Sequence, residues 1–106
     1  MADGAYTLAL WRVKAGKEDE FVRWWKGELA DHFLNLPNPP GPGTLIRSVE
    51  DPRLFYSFGP WRSIEDIKEM RADPRTADVL GNVIELCDEA TPGLFKFVAR
   101  VPEDGA

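Results

Sequence analysis

One cysteine and one histidine in 106 residues are all the soft ligands this chain has, and that scarcity excludes a good deal. A lone Cys87 closes no internal disulfide, and with His32 it makes no ligand set for a structural zinc. No metal and no cofactor is therefore expected, and the fold is expected to rest on packing. Basic charge is also short. Thirteen Lys and Arg against 18 Asp and Glu leave a formal charge of -5, so no basic stripe exists for a phosphate backbone and no nucleic-acid partner is expected. No apolar run approaches the roughly 18 to 20 residues of a membrane span, so no membrane partner is expected. The opening MADGAYTLAL lacks a basic start and a long apolar stretch, which argues against a secretory signal and makes a cytoplasmic location the default. GPG at 41–43 has the spacing of neither a phosphate loop nor a dinucleotide fingerprint.

The length suits one domain over residues 1–106, with a core from about 6 to 101 and a frayed tail at 102–106. YTLALWRV is apolar on both alternations: Tyr6, Leu8 and Leu10 on one side, Ala9, Trp11 and Val13 on the other. Such a strand expects cover on both faces. After Gly16 the acids Glu18, Asp19 and Glu20 mark a helix start. In the helix that follows, Phe21, Val22, Trp25, Leu29, His32 and Phe33 fall within a sector about 120° wide, with Trp24 on its flank. NLPNPPGPG stops it near Leu34. TLIRSVE and LFYSFG, joined by Asp51-Pro52-Arg53, read as a hairpin. Ser63 with Asp66 resembles a capping box before a helix that buries Ile64, Ile67, Met70 and the stem of Arg71. Asp73-Pro74 restarts a helix that places Ala77, Leu80, Ile84 and Cys87 on one face. Thr91-Pro92-Gly93 is expected to end it, leaving LFKFVARV as the last strand.

The order β-α-β-β-α-β is the α+β, ferredoxin-like plan, a four-stranded antiparallel sheet with helices on one face. Strands apolar on both sides leave the other face of that sheet uncovered, which predicts a homodimer with two sheets packed face to face.

YTLALWRVKAGKEDEF, FYSFGPWRSIEDIKEM and ADP resemble the antibiotic biosynthesis monooxygenase family of dimeric α/β-barrels. The shared features are a strand ending in Lys14-Ala15-Gly16 before an acidic helix start, and the element Trp61-Arg62-Ser63-Ile64-Glu65. The likeness spans roughly residues 6–101 and implies a pocket between the sheet and its helices for a small aromatic, polyketide or quinol molecule. Some members oxidise such molecules with molecular oxygen and no prosthetic group. The resemblance makes Trp61 an aromatic wall and puts Ser57 where phenol-oxidising members carry an Asn that donates to the substrate's oxygen. Haem-degrading members carry an iron-ligating His in the second helical region, and this chain has none there.

His32 lies outside the family's motifs. A histidine titrates near neutrality and can take a phenolic proton, and it can equally be a structural residue bonded to a loop carbonyl. Tyr56 is an alternative acid-base group, and Tyr6 another. Trp11, Trp25, Phe21 and Met70 are expected to line the pocket or to be plain core. Cys87 reads as a small hydrophobe rather than a nucleophile. Three functions remain open: a cofactor-free monooxygenase, a cofactor-free cyclase or isomerase using His32 with a tyrosine, and a non-catalytic ligand-binding or accessory dimer.

Overall fold

The structure is a computed structural model that describes residues 4–103. Its elements follow the expected order: β1 (Ala5–Val13), α1 (Glu18–Trp24), a π-helical turn (Trp25–Leu29), α2 (Ala30–Leu34), β2 (Thr44–Arg47), β3 (Leu54–Trp61), α3 (Ile64–Ala72), α4 (Pro74–Ile84) and β4 (Cys87–Lys96). The strands form one antiparallel sheet in the order β2-β3-β1-β4. The α+β ferredoxin-like plan is therefore present. Among the described residues no helix is long and apolar enough to cross a membrane.

Local chemistry explains most boundaries. Gly16, with φ of 85°, makes the left-handed turn out of β1 that a side-chain-bearing residue rarely adopts. Lys17 caps α1 without a side-chain bond, and the acids Glu18, Asp19 and Glu20 face the positive end of the helix instead. Ser63 Oγ accepts from the Asp66 N–H, and Asp73 accepts from the Arg75 N–H with Pro74 in the first turn, as the sequence predicts.

Three expectations are corrected. The last strand is Cys87–Lys96, not LFKFVARV: the Thr91-Pro92-Gly93 stretch lies inside it rather than before it. β4 is an edge strand, where a proline nitrogen can face away from the partner strand and cost no ladder hydrogen bond. Cys87 consequently opens β4 instead of closing a helix face. The buried side of α4 is Thr76 and Val83, with Val79 and Leu80 half-buried, while Ala77 and Ile84 are exposed. The inward stripe is thus one residue earlier than periodicity through Cys87 implied. Finally, β2 stops at Arg47, because the Ser48 hydroxyl accepts from the N–H groups of Glu50 and Asp51 and turns the chain early.

The sheet's two faces differ. Odd-numbered positions of β1 and β3 face the helices and supply Ala5, Ala9, Trp11, Val13, Phe55 and Trp61 to the buried core. The other face carries Leu8, Ile46, Phe58 and Phe95, which are 36%, 50%, 36% and 50% exposed. Among the described residues no element covers them.

Candidate functional site between the sheet and the helices

The buried core is not continuous. One cluster gathers Trp11, Phe21, Leu29, Phe55 and Val83; a second gathers Ala5, Trp61, Ile67 and Met70. Between them the sheet presents two hydroxyls, Thr7 and Ser57, on adjacent strands and the same face. Each is taken by an indole. Trp11 Nε1 donates to Ser57 Oγ at 2.9 Å, and Trp61 Nε1 donates to Thr7 Oγ1 at 3.0 Å. A hydroxyl that accepts one bond keeps its own proton for donation, so this polar seam can still offer hydrogen bonds to an oxygen atom placed over it.

The end of the seam is set by Gly59, which pairs with Thr7 and is buried. The proline loop crosses directly over it. A Cβ at that position would sit 3.2 Å from both the Pro42 carbonyl oxygen and the Gly43 Cα, closer than the backbone allows without shifting. Trp25 packs on Gly43 from the other side.

On the helix side of the sheet, α2 carries His32 and Phe33. The question raised by the sequence, whether His32 meets a cavity or a carbonyl, has a third answer: His32 Nε2 is 2.5 Å from Thr76 Oγ1, and Thr76 is fully buried on α4. The N-cap Asp73 lies close enough to feel the imidazole. Its carboxyl is pulled down to about 2, first by the Arg75 side-chain hydrogen bond, then by the Arg75 N–H, with a smaller contribution from His32. Phe33 meets the His32 ring at 5.7 Å and stands edge-on to Trp61, also at 5.7 Å. Phe21 connects Trp11 and Phe55 at 5.6 and 5.0 Å. Aromatic rings thus wall the seam from both ends.

The predicted residues separate cleanly. His32, Trp61, Ser57, Trp11 and Phe21 are on the helix side of the sheet, and Met70 and Trp25 flank the same layer. Tyr56 is not with them. It pairs with Leu10 and Ile46 on the uncovered face, and Tyr6 pairs with Pro60 and Phe95 there, so neither tyrosine shares a site with His32. The cause is the two-residue period of a strand, which sends Tyr56 and Ser57 to opposite sides. Thr7 and Thr76 are site residues the sequence reading missed. The alternation that put Trp11 inward also put Thr7 inward, whereas the Thr76 partnership spans 44 positions and leaves no local trace.

Two hollows open nearby. One, of about 170 Å³, lies between the proline loop and the α3–α4 corner, where Leu36, Asn38, Met70 and Arg75 line it. The other is a shallow groove on α1 beside Trp24 and Gly27. Neither is lined by His32 or Trp61.

No family model matches the chain, and no curated protein matches it. Solved structures do. SnoaB, a cofactor-independent oxygenase from Streptomyces nogalater, superposes in a mutant form with a TM-score of 0.83 at 20% identity, over 96% of this chain and 100% of that one. The ActVA-Orf6 monooxygenase of Streptomyces coelicolor, in complex with nanaomycin D, gives 0.77 at 16% identity, over 92% and 90%. A putative antibiotic biosynthesis monooxygenase from Bordetella bronchiseptica gives 0.77 at 17%, over 92% and 97%. The chain shares the fold of antibiotic biosynthesis monooxygenases.

Proposed function

We propose that the protein is a homodimeric, cofactor-independent monooxygenase that oxidises a small aromatic, polyketide or quinol substrate with molecular oxygen. The observation that carries this reading is the polar seam: two hydroxyls held by two indoles, on the face where enclosing helices exclude water, between aromatic walls. Neither hollow reaches the seam, so a phenolic ring packs on these walls, its oxygen over the hydroxyl protons of Ser57 and Thr7, only once the helices give way. Such donors stabilise the oxyanion that forms when the phenol loses its proton. His32, next to Phe33 on α2 and bonded to Thr76, is the candidate proton acceptor once that bond is released.

The substrate anion then supplies the electrons. For a methylene flanked by aromatic rings, a C–H proton leaves, the carbanion reduces O₂ and bonds one oxygen atom, and loss of water leaves a carbonyl: CH₂ and O₂ become C=O and H₂O. The protein's part is to bind, to favour the anion and to keep bulk water out. Ser57 reaches less far than the asparagine of the phenol-oxidising pattern, so the substrate's oxygen must sit closer to β3.

The isomerase alternative loses support, because it required a tyrosine beside His32 and both tyrosines face the other way. The uncovered apolar face supports the dimer, since exposed Leu8, Ile46, Phe58 and Phe95 form one patch that a second sheet would bury. Purified metal-free protein, incubated with a panel of hydroquinones and anthrones, is expected to consume oxygen above the buffer rate. No consumption across the panel refutes the oxygenase reading and leaves a ligand-binding dimer.

A further inference from the structure

The aromatic site already contains an aromatic ring. Phe33 packs against both buried clusters, and it meets Trp61 edge-on, an arrangement that free aromatic molecules also prefer. Its surroundings are those of a movable part. Phe33 is only half-buried, and no side chain of α2 is fully buried. α2 is the last five residues of a helical run that starts at Glu18, with a π-helical turn before it and the proline loop after it. Helix ends fray more readily than the run behind them. A hydrogen bond, His32 to Thr76, ties it to α4.

We propose that Phe33 is an intramolecular occupant of the aromatic site, and that a monocyclic phenol binds by displacing it outward with α2 as the His32–Thr76 bond breaks. This rests on the proposed use of the seam and names the ligand class for it. The phenol ring replaces the Phe33 ring against Trp61. Its hydroxyl meets the seam hydroxyls, and in a hydroquinone the second, para hydroxyl replaces the imidazole at Thr76 Oγ1, a buried atom that needs a partner once His32 leaves. Because His32 and Phe33 are neighbours on one helix, the same movement empties the site and releases the imidazole. The apparent affinity of the wild-type protein is then the intrinsic affinity reduced by the open fraction.

The test is calorimetric binding of hydroquinone under anaerobic conditions, which separates binding from oxidation. With an open state populated at roughly 1–10%, Phe33→Ala is expected to tighten binding roughly 10- to 100-fold. His32→Ala, which keeps the ring and removes the tie, is expected to tighten it by a smaller factor and carries the test if Phe33→Ala folds poorly. Leu34→Ala, at an exposed position of the same helix, is expected to change nothing. The Trp61 indole N–H resonance, assigned by its loss in Trp61→Phe, should shift on binding. Unchanged affinity in both Phe33→Ala and His32→Ala, or binding that leaves Trp61 unshifted, overturns the proposal. Tighter binding by Phe33→Ala without oxygen uptake by any form supports the occupancy and rejects the oxygenase reading. Uptake by the wild type with no gain in either variant does the reverse.

Discussion

The indole–hydroxyl pair of Trp11 and Ser57 makes a quantitative test of how the seam is built. Trp11 is 4% exposed and its Nε1 donates to Ser57 Oγ at 2.9 Å. Ser57→Ala deletes the acceptor and leaves a buried N–H without a partner, which is expected to cost about 1–3 kcal/mol of folding stability. Trp11→Phe deletes the donor and also some packed ring volume, so alone it costs more. In the double variant the hydrogen bond is not lost twice. The cost of Trp11→Phe should therefore fall by about 1 kcal/mol when Ser57 is already alanine. Urea unfolding of the four proteins, followed by circular dichroism, measures this. In a domain near this size about 1 kcal/mol also moves the melting temperature by roughly 4–8 °C, an independent reading of the same difference. Additivity of the two substitutions to within about 0.3 kcal/mol would refute the pairing. It would also mean that Ser57 is not oriented by Trp11, removing the reason to place its proton toward the helices.

Phe58→Lys, on the uncovered face of a central strand, is expected to convert a dimer into a monomer by light scattering without loss of folded structure; a monomeric wild-type protein defeats the face-to-face dimer outright. The Cys87 thiol is pushed up to about 11 by burial, so alkylation of the folded protein near pH 8 should be slow and should speed up sharply in denaturant. Its linkage has a fixed sign: the unfolded thiol releases its proton near 9.0 and the folded one near 11, so stability falls as pH rises across that window, and Cys87→Ala should remove that slope. For Asp73 the sign is opposite. Its carboxyl is held at about 2 against 3.8 unfolded, so the stabilisation is complete above 3.8 and is lost as pH falls toward 2; an acid titration of Asp73→Asn should lack this component. Deleting Lys26, an exposed residue of the π-helical turn, removes the extra residue and lets the turn close as regular α-helix with Leu29 still facing the core, so the melting temperature should change little. A loss of roughly 2–5 kcal/mol, as for removal of a core leucine, would show that the turn is not a one-residue insertion.

Much of the fold was legible because its signals are local. Alternation in YTLALWRV, the Ser63 and Asp73 caps and the break at NLPNPPGPG each depend on neighbours in sequence, and each appears where expected. What the sequence hid depends on tertiary position. Pro92 looks like a strand breaker until β4 is known to be an edge. Ser48 looks like a strand residue until its hydroxyl is seen to take two backbone N–H groups. Of the candidate residues, Trp61 and Ser57 lie on the helix-covered face, while Tyr56 is one step of a strand's period away and lies on the other. Thr76 was invisible, since only the packing of α4 on α2 brings it to His32.

The π-helical turn links these gains and losses. Simple helical phase put Phe21, Trp25, Leu29, His32 and Phe33 on one stripe, yet the helix accommodates an extra residue at Trp25–Leu29, which shifts everything after it by about 100° relative to a regular α-helix. Phe21 and Leu29, on either side of the shift, are both buried in the same cluster, so the insertion is compatible with the core. Its consequence falls on α2. His32 turns toward Thr76 on α4, while Phe33 turns toward Trp61 on the sheet. The π-helical turn also interrupts the regular i→i−4 ladder, and it sits directly before the segment that the proposed opening moves. The residues that wall the site and the weakness that would let a ligand into it thus have one structural origin, the interrupted helix FVRWWKGELADHF.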